Sequence, residues 1–282
     1  VYLTEIVRDK IGRKMSKSLG NSPDPLELIK KYGADGVRVG MLLTSPAGND
    51  LPFDEVLCEQ GRNFSNKVWN ALRLVKGWEI DENLKQPEYA AVSARWFESK
   101  LNQTIKIIND HFLKYRISDA LMVVYKLVWD DFCSWYLEMI KPGYQKPIDP
   151  VTYEKTINFF ECLMKLVHPF IPFVSEDIWH HLNERSSNES IMLEQLPVGG
   201  KVDQHILSTF EIEMDVIMAI RNMRKNKNIH QKELLELQIR KNNEQKPDHT
   251  FDSLIAKLCN IIQISYVEEK VANAVSFIVI SS

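Results

Sequence analysis

Two lysines three residues apart, Lys14 and Lys17, sit in the run Gly12-Arg13-Lys14-Met15-Ser16-Lys17-Ser18-Leu19-Gly20-Asn21. Glycine at either end lets the main chain turn tightly and come close to a ligand. A lysine ammonium is a mobile point charge suited to phosphate, and Ser16 and Ser18 add short hydroxyl donors. Asn21-Ser22-Pro23-Asp24-Pro25 then closes the loop and opens a helix. The chemistry this suits is binding of a polyphosphate whose charge changes during reaction. The same composition also describes a solvated basic loop, so its meaning rests on its surroundings.

The elements that must position these residues follow from periodicity. Val1-Tyr2-Leu3 and Ile6-Val7-Arg8-Asp9 read as a strand leading into the loop. Asp24 as N-cap, Pro25 in the first turn and Gly33 at the end predict a helix over 25–32. A second follows over 35–43, with Val37, Val39 or Met41, and Leu42 inward. Residues 46–54 form a turn-rich connector. From Glu55 the pattern is helical: Leu57, Phe64, Val68, Leu72 and Val75 fall near the helix period, with Arg62, Asn63, Asn66, Lys67 and Asn70 on the other face. After a polar break at 81–88, Val92, Trp96, Phe97, Leu101, Ile105, Ile108 and Phe112 form an apolar stripe. Ser118 is placed as the cap of a helix over 119–140, which stops at Lys141-Pro142-Gly143. Helices over 151–168 and from the Ser175/Glu176/Asp177 cluster come next.

Beyond Leu196-Pro197-Val198-Gly199-Gly200 the character changes. A helix over 210–225 turns Ile212, Val216, Ile217 and Ile220 inward, and short strands over 234–241, 261–268 and 274–280 flank a helix over 251–258. The fold class expected is mainly α: a helical bundle, preceded by a small α/β segment carrying the lysine loop and followed by a small α/β appendage. The units are 1–54, 55–198 and 199–282.

Other polar residues carry weaker signals. Arg62 and Lys67 are candidate phosphate contacts, or residues of a solvated helix face. Arg221, Arg224, Lys225, Lys227, His230 and Lys232 form the densest positive stretch, a phosphate grip or a solvated loop. Arg38 reads as half of a structural ion pair, with an RNA backbone contact as the alternative. Asp130 and Asp131 are helix neighbours and point apart, so they share no proton. His168 has no second ligand at metal spacing and reads as a packed structural histidine; the adjacent His180 and His181 read as surface residues, and no metal site is expected.

Composition sets the outer bounds. A chain of 282 residues holds two or three domains, and 44% hydrophobic with 26% charged residues is an ordinary globular mixture. A net charge of −3 argues against a surface that binds nucleic acid everywhere, and permits a local basic patch. Cys58, Cys133, Cys162 and Cys259 are far apart and form no C-x-x-C pair, as in a reduced, cytosolic protein without a zinc ribbon. No apolar run reaches the length of a membrane span. The start at Val1 reads as the middle of a strand, so an excised fragment is expected.

Lys14-Met15-Ser16-Lys17-Ser18, followed by Leu19-Gly20-Asn21, resembles the ATP loop of class I aminoacyl-tRNA synthetases. The likeness runs on through Tyr32-Gly33-Ala34-Asp35-Gly36-Val37-Arg38, through Val128-Trp129-Asp130-Asp131-Phe132-Cys133-Ser134-Trp135-Tyr136-Leu137-Glu138, and through the string from His168 to Trp179. These resemble the group reading aliphatic amino acids and its helical anticodon-binding domain. Asn63-Phe64-Ser65-Asn66-Lys67-Val68-Trp69-Asn70 and the Gly48-Asn49-Asp50…Phe53-Asp54 lead-in are similar to the valine-specific members, the isoleucine-specific ones being the runner-up. Glu5 departs from the glycine expected before the loop.

The resemblance implies that Lys17, assisted by Lys14, stabilises negative charge on departing pyrophosphate. Met15, Ser16 and Ser18 complete the ATP contact, and the bundle holds tRNA through Arg62, Lys67, Arg221 and Arg224. ATP with its Mg2+, valine and the tRNA for valine are the implied partners of a monomeric, cytoplasmic ligase without a tightly bound cofactor. The family's His-x-Gly-His segment is absent, since none of the seven histidines has that context. The amino-acid pocket and editing domain would also lie upstream. These 282 residues alone are therefore expected neither to activate valine nor to charge tRNA. A stand-alone helical tRNA-binding module and a helical protein–protein interaction domain are the competing classes; RNA binding would weaken steeply with salt.

Overall fold

The structure is a computed structural model that describes residues 6–44, 50–240, 248–269, 271 and 274–279. The expected strand at 1–3, the departing Glu5 and the connector residues 45–49 lie outside the described residues.

The first segment is built around two short helices. Helix α1 (Pro25–Tyr32) begins where Asp24 accepts the Leu26 N–H at 2.8 Å, and Pro25 has no N–H needing a partner. Gly33 ends it at φ 77°, a left-handed conformation that glycine adopts without strain. Helix α2 (Ala34–Leu43) follows directly. It lies against α3 (Glu55–Lys76) through glycines rather than large apolar side chains. A Cβ at Gly61 would stand 2.5 Å from the Gly36 carbonyl, and one at Gly40 would stand 2.6 Å from the Cys58 nitrogen. The two backbones therefore meet closely, and of the expected inward residues only Val39 is fully buried. Strands β1 (Val7–Arg8) and β2 (Leu51–Pro52) pair in parallel beside them. Leu28, Tyr32, Leu51, Phe53 and Cys58 make a small core on which Val7 and Met15 rest.

The bundle has one large core. It gathers α3, α4 (Glu88–Leu113), a continuous run from α5 (Ile117–Lys126) to α6 (Leu137–Ile140), α7 (Pro150–Val167) and α8 (Pro172–Leu182). Phe97 is at its centre, with ring centroids 4.9 Å from Tyr136, 5.1 Å from Phe159 and 5.3 Å from Phe132. Rings at these separations add edge and offset-stacking attraction to plain burial. The buried Tyr136 hydroxyl meets Thr156 Oγ1 at 3.0 Å.

Three helix starts and one helix interior differ from the sequence expectation, one of the starts being that of the helix expected from 210, which begins at Gln204. Ser118 is not a cap: its hydroxyl donates to the Leu42 carbonyl at 2.7 Å, tying the first turn of α5 to the end of α2. Helix α8 starts at Pro172, ahead of the Ser175 cluster. Residues Leu127–Tyr136 are wound as a π-helix between α5 and α6. Ser134 donates there to the Trp129 carbonyl, 2.8 Å away and five residues back.

Helix α9 (Gln204–Asn226) bridges two cores. Its first half joins the bundle, with Phe210 4.3 Å from Trp96 between centroids. Its second half places Ile217 and Ile220 with Ile255, Cys259 and Ile261 in a smaller core. Ile212, expected inward, is 41% exposed, because it falls between these two contacts. Strands β3 (Leu235–Ile239) and β4 (Ile261–Tyr266) pair in parallel, joined by α10 (Asp252–Cys259), as a parallel pair requires a crossover. Residues 274–279, expected as a third strand, are irregular.

Candidate functional site

The lysine loop is held by a small polar frame. Its main chain enters through β1, turns at Gly12 (φ 83°) and returns with the Met15 N–H on the Val7 carbonyl at 2.9 Å. The Asp9 carboxylate accepts from the Ile11 and Arg13 main-chain N–H groups, at 3.2 and 2.8 Å, and from the Arg13 guanidinium. Asn21 closes the far side: its amide donates to Asp9 at 3.0 Å and to the Lys14 carbonyl at 3.2 Å, and its oxygen accepts the Ser16 N–H at 2.9 Å. Arg8 pairs with Asp50 and reaches the Gly12 carbonyl at 3.1 Å.

Between these anchors the chain makes one tight turn, Lys17–Leu19. The Ser16 hydroxyl accepts the Leu19 N–H at 3.3 Å and lies 3.2 Å from Ser18 Oγ; Gly20 ends the turn at φ 66°. Met15 points into the small core. The side chains of Lys14, Lys17 and Ser18 stand in solvent. Among the described residues neither lysine ammonium meets a carboxylate. A fixed backbone with two uncompensated ammonium groups is the arrangement that an incoming polyphosphate needs.

The Asn21 amide, foremost, together with the Arg13 contacts, holds the Asp9 carboxyl down from 3.8 to about 2. A depressed folded-state value means that the charged frame is intact above about pH 4 and is lost as pH falls toward 2. Asn21→Ala removes the largest contribution, so the Asp9 carboxyl should titrate closer to 3.8, read as its carboxyl carbon shift by NMR; a titration midpoint still near 2 would contradict this role.

The four arginines and lysines expected to contact nucleic acid fall into different environments. Arg62, on α3, is held by the Lys31 carbonyl at 3.4 Å and Glu59 at 3.3 Å, and lies over Tyr32. Lys67, a turn and a half further along α3, sits 5.3 Å from the Trp129 ring centroid. Trp129 stacks on Tyr125 at 5.5 Å, and Tyr125 on the buried Phe64 at 4.8 Å. This aromatic ladder beside Lys67 escaped the sequence reading, because it forms only where residues 125–129 pack on α3. Arg221 is half-buried and near the end of α9.

Arg224 is a correction. It is 1% exposed, and its guanidinium donates to the carbonyls of His230, Glu233 and Cys259 at 2.9, 2.9 and 2.6 Å. It is the internal tie of the chain leaving α9 and cannot reach a phosphate. Lys225, Lys227, His230 and Lys232 around it are exposed.

The remaining polar residues behave structurally. Asp131 is mostly covered, and burial raises its carboxyl to about 6, while Asp130 is exposed; the two do not form a dyad. His168 Nδ1 meets Ser175 Oγ at 2.8 Å, and burial lowers its proton affinity. His181 hydrogen-bonds the Asp177 carbonyl. Among the described residues Arg38 forms no ion pair; it donates to the Pro169 carbonyl at 3.0 Å and the Phe170 carbonyl at 3.4 Å.

The comparisons agree with this layout. Residues 94–239 match the model described as anticodon-binding domain of tRNA ligase. Residues 1–54 match the one described as tRNA synthetases class I (I, L, M and V). The chain belongs to the anticodon-binding domain family of tRNA ligases, joined to a class I synthetase segment that carries the lysine loop. It is 56% identical over 279 residues to the valine–tRNA ligase of Parabacteroides distasonis, covering 99% of this chain and 32% of that protein. It is 58% identical to that of Phocaeicola vulgatus (99% and 31%), and 39% identical to that of Fusobacterium nucleatum (81% and 27%). The chain thus spans about a third of the length of these relatives. In fold it is similar to the agnB2 LeuRS of Agrobacterium radiobacter K84, solved in a ternary complex with tRNA and LeuAMS. The TM-score is 0.50 at 20% identity, over 72% of this chain and 24% of that one.

Proposed function

We propose that these residues are the lysine-loop and tRNA-binding part of a valine–tRNA ligase. The observation that carries this is the loop: two exposed ammonium groups on an anchored backbone, next to a bundle of the anticodon-binding family. The identity to relatives named valine–tRNA ligase supports valine over isoleucine. In this reading 1–54 closes the catalytic domain, 55–198 is the bundle and 199–282 is the appendage.

In the complete protein a carboxylate oxygen of valine attacks the α-phosphorus of ATP. The bond to the pyrophosphate oxygen breaks, and negative charge collects on the leaving group. Lys17, assisted by Lys14, meets that charge, while Ser16 and Ser18 shape the turn against the phosphates. A unit charge pair at about 4 Å is worth roughly 4 kcal/mol at an effective dielectric near 20. It accelerates the reaction to the extent that it strengthens in the transition state. Mg2+ arrives on the ATP phosphates. The aminoacyl group then passes to a tRNA held by the bundle, with Arg62, Lys67 and Arg221 on its phosphates and Arg224 holding the loop behind Arg221. The protein works as a cytoplasmic monomer.

The test is ATP–pyrophosphate exchange and tRNA charging by the full-length polypeptide with valine and with isoleucine. Exchange with valine, and none from the 282 residues alone, is expected. Isoleucine-dependent exchange, or charging of a different tRNA, would overturn the assignment.

A further inference from the structure

Helix α8 has an unusual beginning. Its first residue is Pro172, which has no N–H, and the Ser175 N–H already reaches the Ile171 carbonyl at 3.1 Å within the chain. The two donors between them, Phe173 and Val174, have no capping side chain of their own segment. Both are taken by one carboxylate far away in sequence: Asp35 accepts Phe173 N–H at 3.3 Å and Val174 N–H at 2.7 Å. One turn further along α2, Arg38 donates to the carbonyls of Pro169 and Phe170, in the turn between α7 and α8. Anions suit helix N-termini. Helix α2 therefore supplies an acid to the start of α8 and a cation to the carbonyls of the turn that leads into it.

Asp35 is 4% exposed, and burial pushes its carboxyl up; the Val174 and Phe173 N–H groups, with the charge of Arg38 and His168 nearby, offset taking its charge out of water. The same helix is locked to α3 by the glycine contacts at Gly36, Gly40 and Gly61. Beyond Gly33, α1 is tied to α3 by Glu55, which accepts from Lys31 and Tyr32, each at 2.8 Å. Leu28 and Tyr32 of α1 form the core on which Met15 of the lysine loop rests. A continuous set of contacts thus links the α7–α8 turn of the bundle to the loop.

We propose that Asp35 and Arg38 are positioning residues that set the loop-bearing segment relative to the tRNA-holding bundle, so that a tRNA seated on the bundle presents its acceptor end in register with the activated amino acid. This rests on the function proposed above. Activation uses ATP and valine only and needs the loop, not the bundle's placement; transfer needs both. The two half-reactions therefore separate a positioning role from a general loss of structure.

The experiment compares Asp35→Asn and Arg38→Gln with the unaltered full-length protein. Asn can accept one of the two N–H groups but lacks the charge. Asp35→Asn is expected to keep valine-dependent pyrophosphate exchange within about twofold and to lower kcat/KM for tRNA charging about tenfold or more. Arg38→Gln, at an exposed site, should fold in any case and lower charging about threefold with exchange intact. Asp35→Glu, which keeps the charge and both oxygens, should restore part of the loss. Equal falls in both half-reactions, or no fall in charging, would overturn the proposal. Absence of valine-dependent exchange in the unaltered protein would instead remove the function on which it rests.

Discussion

Lys17→Ala in the full-length polypeptide should slow valine-dependent pyrophosphate exchange by about 10²- to 10³-fold while the KM for valine stays within about twofold. The reason is geometric. Lys17 is the first residue of the tight turn between the mutually anchored Ser16 and Asn21, and its ammonium has no carboxylate partner among the described residues. Removing it therefore breaks no structural contact, and the Asp9–Asn21 frame keeps the backbone in place. What is lost is a cation placed for the departing pyrophosphate, an interaction that grows as charge develops. Lys14→Ala should lose less, about tenfold, because it lies three residues before Lys17, where the chain bridges back to Arg8. Steady-state exchange as a function of valine and ATP concentration reads both. A Lys17→Ala enzyme that loses valine affinity with an unchanged exchange kcat would show that the lysine acts through the amino-acid site instead.

Arg224→Ala should destabilise the appendage by about 2–4 kcal/mol, whereas Arg221→Ala should shift stability by no more than about 0.5 kcal/mol. Three carbonyls converge on the Arg224 guanidinium in a site without access to water. Truncation leaves those acceptors unpaired and opens the chain between α9 and β3. Arg221 is half-exposed and has no such set of partners. Urea unfolding followed by circular dichroism measures the difference. The RNA readout should run the other way: Arg221→Ala lowers the slope of log affinity against log salt by about one, as for one lost phosphate contact. An Arg224→Ala variant that unfolds like the parent and loses one unit of salt slope would return Arg224 to the RNA surface.

Those two arginines show where sequence reading stops. Both lie in one basic run, and charge density alone treats them alike. They are three residues apart on α9, beyond Ile220 where the helix lies on the smaller core, and their different phase on the helix decides which one is enclosed. Trp129 is a second case: it follows Tyr125 at ordinary helical spacing, but its place beside Lys67 is set by how its helix packs on α3, which no local period anticipates. Arg38 was legible as structural but not in its partner, since carbonyls at a distant turn leave no mark in local sequence.

Much else was local and therefore readable. Asp24, Pro25 and Gly33 delimit α1 because capping, a fixed φ and a left-handed terminus act within a few residues. The apolar stripes of α3 and α4 are in the sequence because each helix must bury one face. The five-residue lysine motif, with its glycines, was readable for the same reason, since the loop is built from consecutive residues. Asp35 marks the opposite limit. In sequence it is an ordinary acid in the first turn of its own helix. In the folded chain it caps another helix 139 residues away. Periodicity, caps and turns are short-range consequences of backbone geometry, so the amino-acid order settles them. Which helix end meets which side chain depends on how the faces pack, and that is decided when the whole bundle closes.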